Sequence, residues 1–307
     1  RAATAPPLLA PIEVRLGAAL WMRLCPAGDG DGDAMARRLE NALGPRLFDE
    51  RGIPLPVLRV LPAAGDAAPA AFIIRFDEVP VAEGDLDGAD ATGSEVTIAD
   101  HLWTLLRRHA HLFVDIETTQ SLLDSLARSH PALVREVVPK VVSPALLADV
   151  LRRLAREEIS LRHLKDILGA LAGRTGPERD AAALTEHVRA ALRRAITLRH
   201  AHPDGVLRAY TLDPMIEEAV RAALHKTERG TALALEPDLS RDIVQAVGRA
   251  IAHASSNGGP APVILTSADL RRHVRRLVEP RHPHVAVLAF PELAPDATVQ
   301  PLGAIRA

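Results

Sequence analysis

The sequence of 307 residues has a single cysteine, Cys25. It can form no internal disulfide, and one thiol cannot build a cysteine-based zinc site, so a reducing compartment is expected. No apolar run approaches the roughly 18 residues of a membrane helix, and the N-terminus lacks the layout of a signal peptide. Neither sign of charge dominates: Lys plus Arg number 37 and Asp plus Glu 39, for a net charge of -2. That excludes a chain held on nucleic acid or anionic lipid by its overall field and leaves only local patches for such contacts. Enzyme signatures are missing too: there is no GxxxxGKS/T phosphate loop, no GxGxxG after a strand, no GxSxG elbow and no HExxH. Aromatic residues make up only 3%, but 48% hydrophobic and 25% charged residues are ordinary for a chain that buries a core.

What is present divides the chain by pattern. It opens at Arg1 with RAATAPPLLAP, an Ala- and Pro-rich stretch of linker type, as expected of a piece of a longer protein. Ile12, Val14 and Leu16 alternate with Glu13 and Arg15, a strand with one buried face. Met35, Leu39, Leu43 and Leu47 recur at helical spacing after Asp33, with a kink or restart expected at Pro45. Two more strands are expected over Leu55–Leu61 and Ala71–Phe76, completing a small α+β unit of split βαβ type. VAEGDLDGADATGSE, from Val81 to Glu95, has little to bury and reads as a mobile surface loop. Helical pattern resumes at Ile98 and continues through Ala172. Pro131 and Pro144 are placed for first helical turns, and Ser143 and Ser160 for N-caps. Beyond a helix over Asp180–Arg199 the rhythm becomes strand, helix, strand, which predicts a partly parallel sheet covered by helices.

Four collinear segments resemble one family: HLWTLLRRHAHLFVDIETTQSLLDSLARSHPALVREVVP (His101–Pro139), LLADVLRRLAREEISLRHLKDILGAL (Leu146–Leu171), LTEHVRAALRRAI (Leu184–Ile196) and PVILTSADLRRHVRRLVE with HPHVAVLAFPEL. Together they resemble the cytoplasmic domain of the large export-gate protein of type III secretion systems, on the injectisome side of that family. The resemblance implies an α+β protein of several subdomains: a linker over residues 1–11, a first subdomain over 12–115, a helical third over 116–196 and an α/β fourth over 197–307. The family's second subdomain has only residues 81–97 as a reduced remnant here. The resemblance further implies a nine-membered ring at the cytoplasmic face of the bacterial inner membrane, anchored by an N-terminal membrane part outside this sequence. Its partners would be export chaperones, secreted substrates, and stalk and gatekeeper proteins of the export apparatus. No enzymatic activity, cofactor or nucleic acid is implied. The family's chaperone-binding motif, THL, reads Asp100-His101-Leu102, which makes Asp100 and His101 the matching partner-binding positions.

Other constellations carry competing readings. Arg156, Glu157, Arg162, His163 and Asp166 form a mixed-charge stretch suited to a subunit interface. The same region, a helix pair joined at Glu157–Ile159, also reads as a helix-turn-helix, and nucleic-acid binding is the alternative from another class. Arg271, Arg272, Arg275 and Arg276 make a basic helix face, either solvated or a docking surface for acidic partners. Asp29, Asp31, Asp33 and Glu40 partly fit a calcium loop, but Ala34 stands where it requires glycine. The spaced pairs His109 and His111, His200 and His202, and His282 and His284 lack accompanying acidic or cysteine ligands, so no metal is expected. Ser267 opens a helix whose N-terminus could hold an anion, although most such serines only cap.

Overall fold

The computed structural model describes residues 9–26, 32–65, 67–88, 90–173, 180–227, 230–255 and 262–306. Most of the linker and the calcium-template residues Asp29 and Asp31 lie outside these. The chain divides into two compact units, residues 1–165 and 166–307.

In the first unit β1 (Ile12–Leu16), α1 (Ala18–Leu24), α2 (Asp33–Arg51), β2 (Leu58–Pro62), β3 (Ala71–Phe76) and β4 (Val79–Asp85) follow in order. The sheet runs β2-β1-β3-β4, with β1 parallel to β2 and antiparallel to β3. This is the expected β-α-β-β unit. Ile12, Val14 and Leu16 are buried with Leu58, Val60, Phe72 and Ile74, as the alternation requires. Glu13 should then face water, but it is buried: Arg75, its partner across β3, and Arg15 both donate to its Oε2, at 3.2 and 3.0 Å. α2 continues through Pro45 without the restart the sequence allowed, and its Met35, Leu39, Leu43 and Leu47 stripe is buried.

The expected loop over 81–95 is also corrected. β4 pairs with β3 through a tight turn in which Asp77 and Glu78 both take positive φ. An edge strand with one exposed side needs few apolar residues, which hid it from a hydrophobic pattern. Gly84 is fixed by packing, since a Cβ there would sit 2.5 Å from the Phe72 ring. The next helix, α3 (Ala91–His109), starts seven residues before Ile98, because the Asp90 carboxylate accepts the Gly93 N–H at 2.6 Å and caps it.

The helical part contains α4 (Ile116–Ala127), α5 (Pro131–Val137), α6 (Pro144–Arg156) and α7 (Leu164–Ala172), and the unit boundary falls inside α7. Asp115 and Ser143 cap α4 and α6, with Pro131 and Pro144 in first turns.

The second unit continues with α8 (Ala181–Ala191), α9 (Arg193–His200), β5 (Val206–Leu212), α10 (Pro214–Ala222), β6 (Leu224–Thr227), β7 (Gly230–Leu233), α11 (Pro237–Ser255), β8 (Val263–Thr266), α12 (Arg271–Val278), β9 (Val287–Ala289) and β10 (Thr298–Ile305). Its main sheet, β10-β5-β8-β9, is parallel at every pairing, as the strand-helix rhythm predicts. Ile216, Val220, Ile243, Val247, Val274 and Val278 from the helices pack on Ile264, Val287 and Ile305 of the strands.

Candidate functional site

Helices α2 and α3 meet side by side in a regular ladder. Arg38 pairs with Glu95 at 3.0 Å, the Arg46 guanidinium lies 4.0 Å from the centre of the Trp103 ring, and Glu50 faces Arg107 at 3.7 Å. All three pairs have the same sequence offset, so the two helices run parallel and in register at i, i+4 intervals. The rung between the first two pairs belongs to Ala42 and Ala99, whose methyl groups cannot span it. There the ladder opens into a groove of about 470 Å³, lined also by Arg23, Leu24, Leu39, Thr92 and Val96.

The charges around this groove are held in place. Arg38 bonds the Leu24 carbonyl as well as Glu95, and Arg23 donates to the Ser94 hydroxyl at 3.4 Å. Both guanidinium groups border an apolar floor, an arrangement suited to a partner that offers an apolar side chain flanked by carboxylates. Met22 and Val96, 70% and 55% exposed, supply apolar area on α1 and α3.

Of the sequence-derived partner positions, Asp100 is exposed on α3 one residue from Ala99. His101 is occupied: its Nδ1 lies 2.8 Å from the Thr97 carbonyl and its ring meets Phe72 edge-on at 5.3 Å. The helix spacing that buries Ile98 and Leu102 turns His101 onto β3. The groove itself was not foreseen in the sequence. Its signal is the repeat of Arg38, Ala42, Arg46, Glu50 against Glu95, Ala99, Trp103, Arg107, the first rung of which, at Glu95, falls in the stretch that reads as a loop.

The mixed-charge stretch is more committed than its sequence suggests. Arg162 donates to the Asp49 carbonyl at 2.9 Å and so caps the C-terminal end of α2 within its own unit. Arg156 and Asp166 are exposed, while Glu157 and His163 are partly buried.

The basic face of α12 is corrected. Arg271 is 1% exposed and donates to both carboxylate oxygens of Glu186, at 2.6 and 2.5 Å, while Arg275 is 8% exposed and donates to the Val285 and Pro283 carbonyls. Arg272 reaches Asp180 at 3.5 Å, and of the four only Arg276 is exposed. Arg271 and Arg272 look unpaired in sequence because their carboxylate partners are distant in the chain. Ser267 does not open the helix, since α12 begins four residues later at Arg271; its N–H and hydroxyl donate to Glu217, at 3.0 and 2.7 Å, so the anion held here is the protein's own carboxylate. Among the described residues no three His, Cys, Asp or Glu side chains gather as a metal site. None of their helices is long and apolar enough to cross a membrane.

Comparison with known proteins agrees with the family resemblance. The model of the FHIPEP family matches residues 77–298. Protein hrpC2 of Xanthomonas euvesicatoria is 31% identical over 301 residues, which cover 98% of this chain and 44% of that protein. The chain spans between 28% and 44% of the length of such curated relatives. Among solved structures, CdsV in the Chlamydia pneumoniae CdsV and CdsO complex has a TM-score of 0.83 at 27% identity, covering 98% of this chain and 99% of that one. The nonameric EscV cytosolic domain from the type III secretion system superposes with a TM-score of 0.79 at 22% identity, over 99% of both chains. The chain therefore belongs to the FHIPEP family, the export-gate family of type III secretion and flagella. Its mixed α and β architecture is that of the family's cytoplasmic domains. The nucleic-acid alternative gains no support from these relatives.

Proposed function

We propose that this chain is the ring-forming cytoplasmic domain of an export gate at the bacterial inner membrane, and that it docks chaperone-substrate complexes and helps order their export. It supplies binding surfaces and no covalent chemistry. The observation that carries the docking reading is the open Ala42–Ala99 rung, an apolar gap bordered by the held guanidinium groups of Arg23 and Arg38. Residues 12–115, 116–196 and 197–307 serve as its first, third and fourth subdomains, with 81–97 in the place of the second. The nonameric state of EscV and the complex of CdsV with CdsO support, for this chain, a ring and a protein partner, for which we propose the stalk of the export apparatus. Gatekeeper proteins are further partners of the same ring.

Titration calorimetry with a cognate chaperone-substrate complex tests the docking site. Ala99→Phe fills the gap from a partly exposed position and should weaken binding at least tenfold while leaving the melting temperature within a few degrees. Equal affinity for the wild type and Ala99→Phe would refute the groove as the docking site.

A further inference from the structure

Two short helices carry opposite charge. α9, with the sequence RRAITLRH, is basic and contains no carboxylate. Its Arg193 and Arg194 are exposed and have no ion pair among the described residues. Leu198, one turn after Arg194, is 79% exposed. The turn at residues 290–294 is tied to α9 by the Ala294 N–H, which donates to the Thr197 hydroxyl at 2.8 Å. That turn brings Phe290, 54% exposed, to the same region, while its one carboxylate, Glu292, is buried against Arg189 at 2.7 Å and neutralises nothing outside.

α4, with the sequence IETTQSLLDSLA, has the reverse composition. It carries Glu117 and Asp124 and no cation, and neither carboxylate has an ion pair among the described residues. Asp115 caps its N-terminus, and Leu112 and Ile116, 49% and 55% exposed, supply apolar surface there.

We infer that the occupant of the basic, apolar surface at Arg193, Arg194, Leu198 and Phe290 is the acidic, apolar surface at Leu112, Ile116, Glu117 and Asp124 of a second copy of this chain. The argument is complementarity: each surface joins exposed aliphatic or aromatic area to uncompensated charge of one sign, and the signs are opposite. A surface meeting a different surface of the next copy makes a heterologous contact, the type that closes into rings when the rotation permits. The inference rests on the ring reading above, and it moves the contact away from Arg162, which is engaged within its own chain.

Sedimentation velocity over a concentration series tests it, using wild type, Arg194→Glu, Glu117→Arg and the double exchange. All four positions of charge are exposed, and unchanged circular-dichroism melting confirms that each variant folds. Each single reversal should weaken association at least tenfold, more at low salt than at high, and the double exchange should recover most of the loss. Single reversals without effect, or a double exchange no better than either single, would overturn this contact and leave the ring reading standing. A wild type that stays monomeric throughout would overturn both.

Discussion

Arg51, at the end of α2, holds Glu158 twice: its Nη1 donates to the Glu158 carbonyl at 2.9 Å and its Nη2 to the carboxylate at 2.7 Å. The guanidinium is buried, and Glu158 adopts a left-handed backbone, φ 61°, to offer both acceptors from the turn after α6. The clasp fastens the α+β part of the first unit to its helical part. Removing the carboxylate leaves a buried cation with the carbonyl as its remaining partner in this pair. Glu158→Gln should therefore cost about 1.5–3 kcal/mol in urea unfolding, the range for a hydrogen bond to a charged group. A loss under about 0.5 kcal/mol would show that solvent replaces the carboxylate without penalty.

The neighbouring Gly52 is set by the same contact. Its φ is +69°, and a Cβ would stand 2.3 Å from the Arg162 backbone nitrogen. Gly52→Ala should cost more than the roughly 1 kcal/mol that Gly-to-Ala changes shift in unstrained sites, because backbone must move. Thermal melting against the wild type measures it, and an equal or higher melting temperature would contradict the packing described.

In the second unit Arg189 and Glu292 form a bidentate pair at 2.7 and 2.8 Å with both side chains 2% exposed. Glu292→Ala takes the bidentate carboxylate from a buried cation and should cost about 3–5 kcal/mol. Replacing both residues with methionine should cost much less than the single change, since it leaves no buried charge at either position. Chemical denaturation of the three variants checks the ordering. A double variant as unstable as Glu292→Ala would mean that the pair itself, and not the stranded charge, carries the energy.

His273 lies buried in α12 and its pKa is lowered from 6.5, first by burial and then by Arg272. Arg276 and Arg271 press in the same direction, while Asp269 opposes them. The unfolded chain therefore takes up this proton at a higher pH than the folded one does. The contribution of neutral His273 is full above about pH 6.5 and is lost as the pH falls toward the lowered folded value. Stability curves at pH 7.5 and 5.5 should differ less for His273→Gln than for the wild type, and an unchanged pH dependence would contradict this assignment.

Periodicity made much of the fold legible. The alternation at Ile12–Leu16, the helical stripe from Met35 to Leu47 and the strand-helix rhythm after residue 206 each mark an element that buries its apolar residues, and each is present. Elements held by other forces were not legible. β4 is stabilised by hydrogen bonds to β3 along an exposed edge, and α3 begins at a cap placed well before its first buried aliphatic residue. Arg271 and Arg272 of α12 have their carboxylate partners at Glu186 and Asp180, far back in the chain, so local charge misreports their environment. The groove depends on two alanines that leave a rung empty, a feature that acquires meaning only once α2 and α3 are seen in register.

The docking account is tested most directly by hydrogen exchange on this chain with and without a cognate chaperone-substrate complex. The groove reading expects added protection over α1, residues 18–24, and the first turns of α3, residues 91–99, and expects Ala99→Phe to abolish it. Protection that leaves both segments unchanged while a bound complex is demonstrably present would contradict it.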